Sequence, residues 1–154
     1  MLHDATSFLS PLQSALSRLH NSNFEFYLTG SRHFGGARQD SDWDFIAAHN
    51  KEIKDFLLSL GFERNEHVQL YLDPMTTEVV TLYLCSCSLA QEASESGLVY
   101  HRDDCMKIDV QLCHDMENKI KIRNLLKETF KRVSFPGNKY QRNAIWELTY
   151  KLLK

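Results

Sequence analysis

The stretch that decides the fold is Gly30-Ser31-Arg32-His33-Phe34-Gly35-Gly36-Ala37-Arg38-Gln39-Asp40-Ser41-Asp42-Trp43-Asp44-Phe45. It begins at the end of a strand signal, in which Phe24, Phe26 and Leu28 alternate with Glu25 and Tyr27. Gly30 ends that strand and permits close backbone approach. A loop or helix start at Ser31 presents backbone N–H groups that suit a phosphate, and the Ser31 hydroxyl can donate to a phosphate oxygen. The segment is not a P-loop, because Gly36 is followed by Ala37 rather than by the lysine and hydroxyl residue of that motif.

The second half of the stretch is Asp-x-Asp on a strand. With a side-chain period of two, Asp42 and Asp44 point to one face while Trp43 and Phe45 point to the other, into the core. Two adjacent carboxylates repel unless a cation lies between them. Hard oxygen ligands at this spacing suit Mg²⁺, which takes one or two carboxylates plus substrate phosphates. A two-metal site needs a further carboxylate. Asp109 is the best candidate: in Lys107-Ile108-Asp109-Val110-Gln111-Leu112, Ile108, Val110 and Leu112 alternate with Lys107, Asp109 and Gln111, and an acid in mid-strand flanked by core residues is unusual without a partner. Asp103 and Asp104 are rivals at an expected turn, where aspartate is ordinary.

Working outward, the spacing predicts a helix over 5–20, with Ser10 as cap, Pro11 in the first turn, and Phe8, Leu9, Leu12, Leu16 and Leu19 on its apolar side. A second strand covers 42–48. A helix over 51–60 stops at Gly61. Strands are expected at 68–72 and 79–84, then a serine-rich loop at 86–97 and a hairpin of 98–102 with 107–112. A long helix over 115–133 carries Ile120, Leu125, Leu126 and Phe130, and breaks at Phe135-Pro136-Gly137. A last helix from 140 carries Ile145, Trp146, Leu148, Leu152 and Leu153. The order α-β-β-α-β-β-β-β-α-α has too few crossover helices for a doubly wound sheet. It predicts an α+β fold, a mixed sheet with helices packed on one side and two C-terminal helices.

At 154 residues, with 43% hydrophobic and 25% charged residues, the chain reads as one ordinary globular domain over 1–154. Disorder and collagen-like composition are excluded. No apolar run approaches the roughly 20 residues of a membrane span, and no secretory leader is seen, so a cytoplasmic location is expected. The four cysteines, Cys85, Cys87, Cys105 and Cys113, lack a Cys-x-x-Cys pair and read as reduced thiols. Charge is divided unevenly. Residues 1–114 hold 8 Lys and Arg against 16 Asp and Glu, a balance of −8; residues 115–154 hold 10 against 4, a balance of +6. An acidic catalytic part over 1–114 and a basic helical part over 115–154 suggest a cation site in one and an anionic partner near the other.

The combination of Gly30-Ser31-Arg32 with Gly35, then Ser41-Asp42-Trp43-Asp44, then a later strand aspartate, resembles the minimal members of the nucleotidyltransferase superfamily that includes DNA polymerase β. The clear likeness covers about residues 24–48, with weaker support at 106–112. The resemblance implies that Gly30, Ser31 and Arg32 bind the nucleotide and that Asp42, Asp44 and Asp109 are catalytic and ligate two Mg²⁺ or Mn²⁺ ions. It implies nucleotidyl transfer, in which an acceptor hydroxyl attacks the α-phosphorus of a nucleoside triphosphate and pyrophosphate leaves.

The acceptor is open at the level of sequence. The basic tail suggests RNA, including a tRNA end, since Lys and Arg supply phosphate affinity. A partner protein, as for antitoxin-like AMP-transferring members, and a small molecule are alternatives. From another class stands a non-catalytic nucleotide-binding module. No membrane partner is expected. Arg32 or Arg38 could neutralise phosphate charge, and Tyr83, Tyr100, Trp146 or Tyr150 could stack on a base, though aromatics at such positions more often fill cores. His33 and His49 read as surface or supporting groups.

Overall fold

In the computed structural model, residues 1–4, 13–38, 41–66, 73–84, 106–132 and 139–153 are described. Their elements run β1 (Leu2–His3), α1 (Gln13–His20), β2 (Phe26–Thr29), α2 (Ser31–Phe34), β3 (Trp43–Ala48), α3 (Lys51–Ser59), β4 (Glu63–Arg64), β5 (Thr76–Leu84), β6 (Met106–Cys113), α4 (Met116–Arg132) and α5 (Lys139–Leu153). The six strands form one mixed sheet in the order β1-β2-β3-β6-β5-β4. The pairs β1/β2 and β3/β6 are parallel, and β2/β3, β5/β6 and β4/β5 are antiparallel. The fold is therefore α+β, as the element order predicts.

Alternation in β3 and β6 divides the sheet into two unlike faces. Trp43, Phe45 and Ala47 with Ile108, Val110 and Leu112 are buried against Leu16 and Leu19 of α1 and Ile53 and Leu57 of α3. Each such large side chain contributes about 1.5–3 kcal/mol relative to exposure. Helix α3 starts where Asn50 accepts the Ile53 N–H at 2.9 Å, an N-cap that satisfies one orphan donor. The opposite face carries the carboxylates, and α4 and α5 lie over it. There Met75, Ile122, Leu126, Trp146 and Tyr150 form a second cluster. The expectation of helices on one side thus holds for α1 and α3 only; the two C-terminal helices cover the other face.

Helix α4 also turns differently from its apolar pattern. Leu125 is exposed, while Lys119 and Arg123 are buried beside Ile122 and Leu126. Each inward cation has an anionic partner: Lys119 Nζ pairs with Asp73, and Arg123 Nη2 with Asp4. On α5, Trp146 and Tyr150 face inward and Leu148, Leu152 and Leu153 stand in solvent. The two-residue strands β1 and β4 were not signalled by sequence, since neither is long enough to show a period. Strand β5 begins at Thr76, earlier than the expected 79, and is accommodated by a register shift between Thr76 and Glu78. The expected helix start over 5–12, the strands at 68–72 and 98–102, the serine-rich loop, Asp103, Asp104, Cys85, Cys87, Cys105 and the Phe135-Pro136-Gly137 break lie outside the described residues. Among the described residues, no helix is long and apolar enough to cross a membrane.

Candidate functional site

Sheet register places the charged residues in one row. Thr29 pairs with Asp44 across β2/β3, Asp44 with Asp109 across β3/β6, and Asp109 with Thr81 across β6/β5. Neighbouring strands lie about 4.8 Å apart, so the row sets two carboxylates side by side with a threonine at each end. Asp42, two residues before Asp44, lines the same cavity. Asp109 Oδ1 accepts a hydrogen bond from the Thr81 hydroxyl.

Gly30 sits directly against this row. Its φ of 72° and ψ of −161° fall in a region open essentially to glycine alone. A Cβ built there would stand 2.3 Å from Asp44 Oδ2. The turn is therefore shaped to pass beside the carboxylate. Ser31 and the three residues after it form α2, in which the His33 and Phe34 N–H groups both donate to the Gly30 carbonyl.

The turn is braced from beneath by α4. Arg123 Nε donates to the Leu28 carbonyl at 2.6 Å, and Lys127 Nζ donates to the His33 carbonyl. Two cations of the basic segment thus hold the strand end and the short helix on either side of Gly30. Ser41 closes the following loop. Its hydroxyl accepts the Arg38 N–H at 2.7 Å, and its carbonyl accepts from Arg32 Nε at 3.1 Å and Nη2 at 2.7 Å. The Arg32 guanidinium also lies over the Trp43 ring, 4.4 Å from its centroid.

A cavity of about 180 Å³ opens over the row. Gly30, Asp42, Asp44 and Asp109 line one wall, and Lys119, Arg142 and Trp146 the helical wall, with Phe34 and Asp73 between. The Lys119 ammonium is engaged by Asp73, by the Thr76 hydroxyl at 3.4 Å and by the Trp146 ring at 4.1 Å. Arg142 has no hydrogen-bond or ion-pair partner among the described residues. One wall is thus anionic and the facing one carries a cation beside an aromatic edge, which suits a ligand with a cation at one end and an anionic group at the other.

The sequence-predicted residues separate on this map. Gly30, Asp42, Asp44 and Asp109 come together in one cavity. Ser31 adjoins it in the chain, and Arg32 is engaged with the loop that carries Ser41. Sequence reasoning missed Asp73, Gln111, Lys119 and Arg142 as lining residues, and the Thr29 and Thr81 flanks. Those flanks follow from strand register, and the helical cations share inward helix faces with apolar residues, Lys119 with Ile122 and Leu126 and Arg142 with Trp146. His33 is buried, and burial with Arg123 and Lys127 nearby lowers its pKa to about 4. His49 pairs with Glu78 at 3.1 Å, away from the cavity. Burial pushes the Cys113 thiol up to about 11, which keeps it protonated and unreactive.

The donor set, two carboxylates at paired strand positions and a third, Asp42, just before β3, with a glycine turn beside them, is chemically suited to hard divalent cations. Among the described residues, no group of three or more His, Cys, Asp or Glu side chains converges closely enough to close around a single ion. Their common cavity rather than a finished coordination shell is what the geometry provides. No family description, no curated protein and no solved structure matches the chain.

Proposed function

We propose that the chain is a metal-dependent nucleotidyltransferase of the DNA polymerase β-like superfamily, with that superfamily's fold, moving a nucleoside monophosphate from a nucleoside triphosphate to an acceptor hydroxyl. The observation that carries this reading is the registered pair Asp44 and Asp109 with Gly30 pressed against Asp44. That arrangement puts a phosphate-type turn and two carboxylates at one point. Asp42, Asp44 and Asp109 would hold two Mg²⁺ or Mn²⁺ ions. Bound there, such ions neutralise charge on the attacking and leaving oxygens of an in-line displacement.

The residues of the chain supply the remainder. Gly30 and Ser31 receive the phosphates, and Arg142 on the facing wall offsets their charge. Asp109 lies where it can take the proton of the acceptor hydroxyl. That hydroxyl forms the new bond to the α-phosphorus as the bond to pyrophosphate breaks. Phe34 and Trp146 exclude water from one side.

The acceptor we favour is RNA, reached through the outward cations of the two C-terminal helices. A partner protein is the second reading, favoured by the inward turn of Lys119 and Arg123 and by exposed Leu148 and Leu152 on α5. The deciding experiment incubates the protein with each labelled nucleoside triphosphate, Mg²⁺ or Mn²⁺, and total RNA or cell extract. Label in an RNA, protein or small-molecule fraction names the acceptor class. Absence of transfer with every combination, together with triphosphate binding, would leave a non-catalytic nucleotide-binding module.

A further inference from the structure

We propose that Thr81, itself oriented by Asn65, is a positioning residue that fixes the carboxylate of Asp109. The proposal rests on the reading of Asp109 as a cation ligand. Thr81 is the register partner of Asp109 on β5 and is fully buried. Its hydroxyl donates to Asp109 Oδ1 and accepts from Asn65 Nδ2 at 2.9 Å. Asn65 is in turn tied to β5, because its backbone N–H donates to the Val79 carbonyl at 2.9 Å.

The direction of this chain is fixed by chemistry. The Asn65 amide NH₂ only donates, so it occupies a lone pair of the Thr81 oxygen. The single hydroxyl proton is left for the carboxylate. Such a bond to an ionised acceptor is stronger than a neutral one. An untethered aspartate samples more than one staggered χ1 rotamer as well as a broad terminal torsion, and Asp109 stands beside Asp44 across the strand pair. Like charge alone would turn the two carboxylates apart. The Thr81 bond holds Asp109 in one orientation in the row, ready for a cation shared with its neighbour.

The test uses the full chain, Thr81→Val, which keeps the shape and removes the hydroxyl, and Thr81→Ser, which keeps the hydroxyl. Two readouts are taken. Mn²⁺ affinity is measured by electron paramagnetic resonance without nucleotide, and the Asp109 side-chain rotamer by three-bond NMR couplings. In Thr81→Val the couplings should average over rotamers and Mn²⁺ should bind about 10–100-fold more weakly, as for other groups that orient metal ligands. Thr81→Ser should behave as the parent. Asn65→Leu, which leaves Thr81 in place, should show a smaller loss in both, and it decides the matter if Thr81→Val does not fold. Unaltered couplings, or parental Mn²⁺ affinity in the hydroxyl-free variant, overturn the proposal. A parent that binds no Mn²⁺ ends the metal reading alone, and the couplings then decide whether Thr81 orients Asp109.

Discussion

The place a side chain at Gly30 would occupy is already taken by Asp44: a Cβ there would lie 2.3 Å from Oδ2 and 3.0 Å from both Cβ and Cγ of that aspartate. The backbone at Gly30 also has a φ of 72°. Gly30→Ala therefore meets two penalties, a conformation that costs on the order of 1–3 kcal/mol for other residues and displacement of a carboxylate. Chemical denaturation should show a loss of about that size, and nucleotidyl transfer should fall far more than the population of folded protein. Parental stability with parental transfer would mean that turn and carboxylate are not coupled.

Asp42→Asn and Asp44→Asn separate chemistry from folding. Each removes one negative charge from a crowded anionic wall, which relieves repulsion in the metal-free protein. Melting temperatures should stay close to the parent's or rise, and transfer should be abolished in the double variant. Double-variant activity near the parental level would remove these carboxylates from the mechanism.

The glycine turn after β2 and the Asp-x-Asp pair were legible because their information is local. A glycine after a strand signal and a period of two require no knowledge of the rest of the chain. The place of Asp109 was legible because an acid in mid-strand, between the core residues Ile108 and Val110, is unusual without a partner. What was hidden was long-range. Register sets Thr29 and Thr81 at the ends of the carboxylate row, and nothing in the spacing of residues 29, 44, 81 and 109 announces it. The rotation of α4 was hidden for another reason. Its apolar residues suggested a stripe through Leu125, but Asp73 and Asp4 lie far away in sequence and draw Lys119 and Arg123 inward. Hydrophobic periodicity cannot see a buried ion pair.

The Lys119–Asp73 pair gives a stability test. Their side chains are 2% and 6% exposed, and removing one partner of such a pair leaves an uncompensated buried charge. Lys119→Met should destabilise by about 3–5 kcal/mol in denaturant unfolding. Adding Asp73→Asn should recover part of that loss, since the stranded carboxylate is then gone. A double variant whose loss equals the sum of the two single losses would show that the pair is not coupled.

His33 makes stability depend on pH. Burial first, then Arg123 and Lys127, lowers its pKa from 6.5 to about 4, with Lys131 adding to the effect and Asp4 opposing it. Its Nε2 has no hydrogen-bond partner among the described residues. The unfolded chain therefore takes a proton near pH 6.5 that the folded chain refuses until about pH 4. This contribution is whole above pH 6.5 and is lost as pH falls through that window, at up to about 1.4 kcal/mol per pH unit. The lowered carboxylates Asp4, Glu25, Glu78 and Asp115 start from 3.8 or 4.5, so their losses come at lower pH. Between pH 6.5 and 4.5, His33→Gln should flatten the stability curve measured by urea titration. Parallel curves for parent and variant would contradict this assignment.

The basic helix decides between RNA and other acceptors, but only some of its cations can report. Arg123 holds the Leu28 carbonyl and Lys127 the His33 carbonyl, so reversing either attacks the scaffold of the Gly30 turn, and reversing the buried Lys119 breaks its pair with Asp73. Lys121 and Lys131 are different. Both are well exposed and, among the described residues, engaged only by Glu117 and Glu128 of their own helix, pairs worth little in water. If α4 receives an RNA backbone, these two lysines neutralise phosphates and release counterions. Lys121→Glu with Lys131→Glu should then leave folding and triphosphate binding intact. It should also weaken RNA binding and reduce the slope of log affinity against log salt by roughly 1.4, at about 0.7 per phosphate of single-stranded RNA. The measurement is a salt titration of RNA binding for parent and variant. A parental slope in the variant would place the RNA elsewhere on the protein, and salt-independent binding in the parent would move the acceptor to a protein or a small molecule.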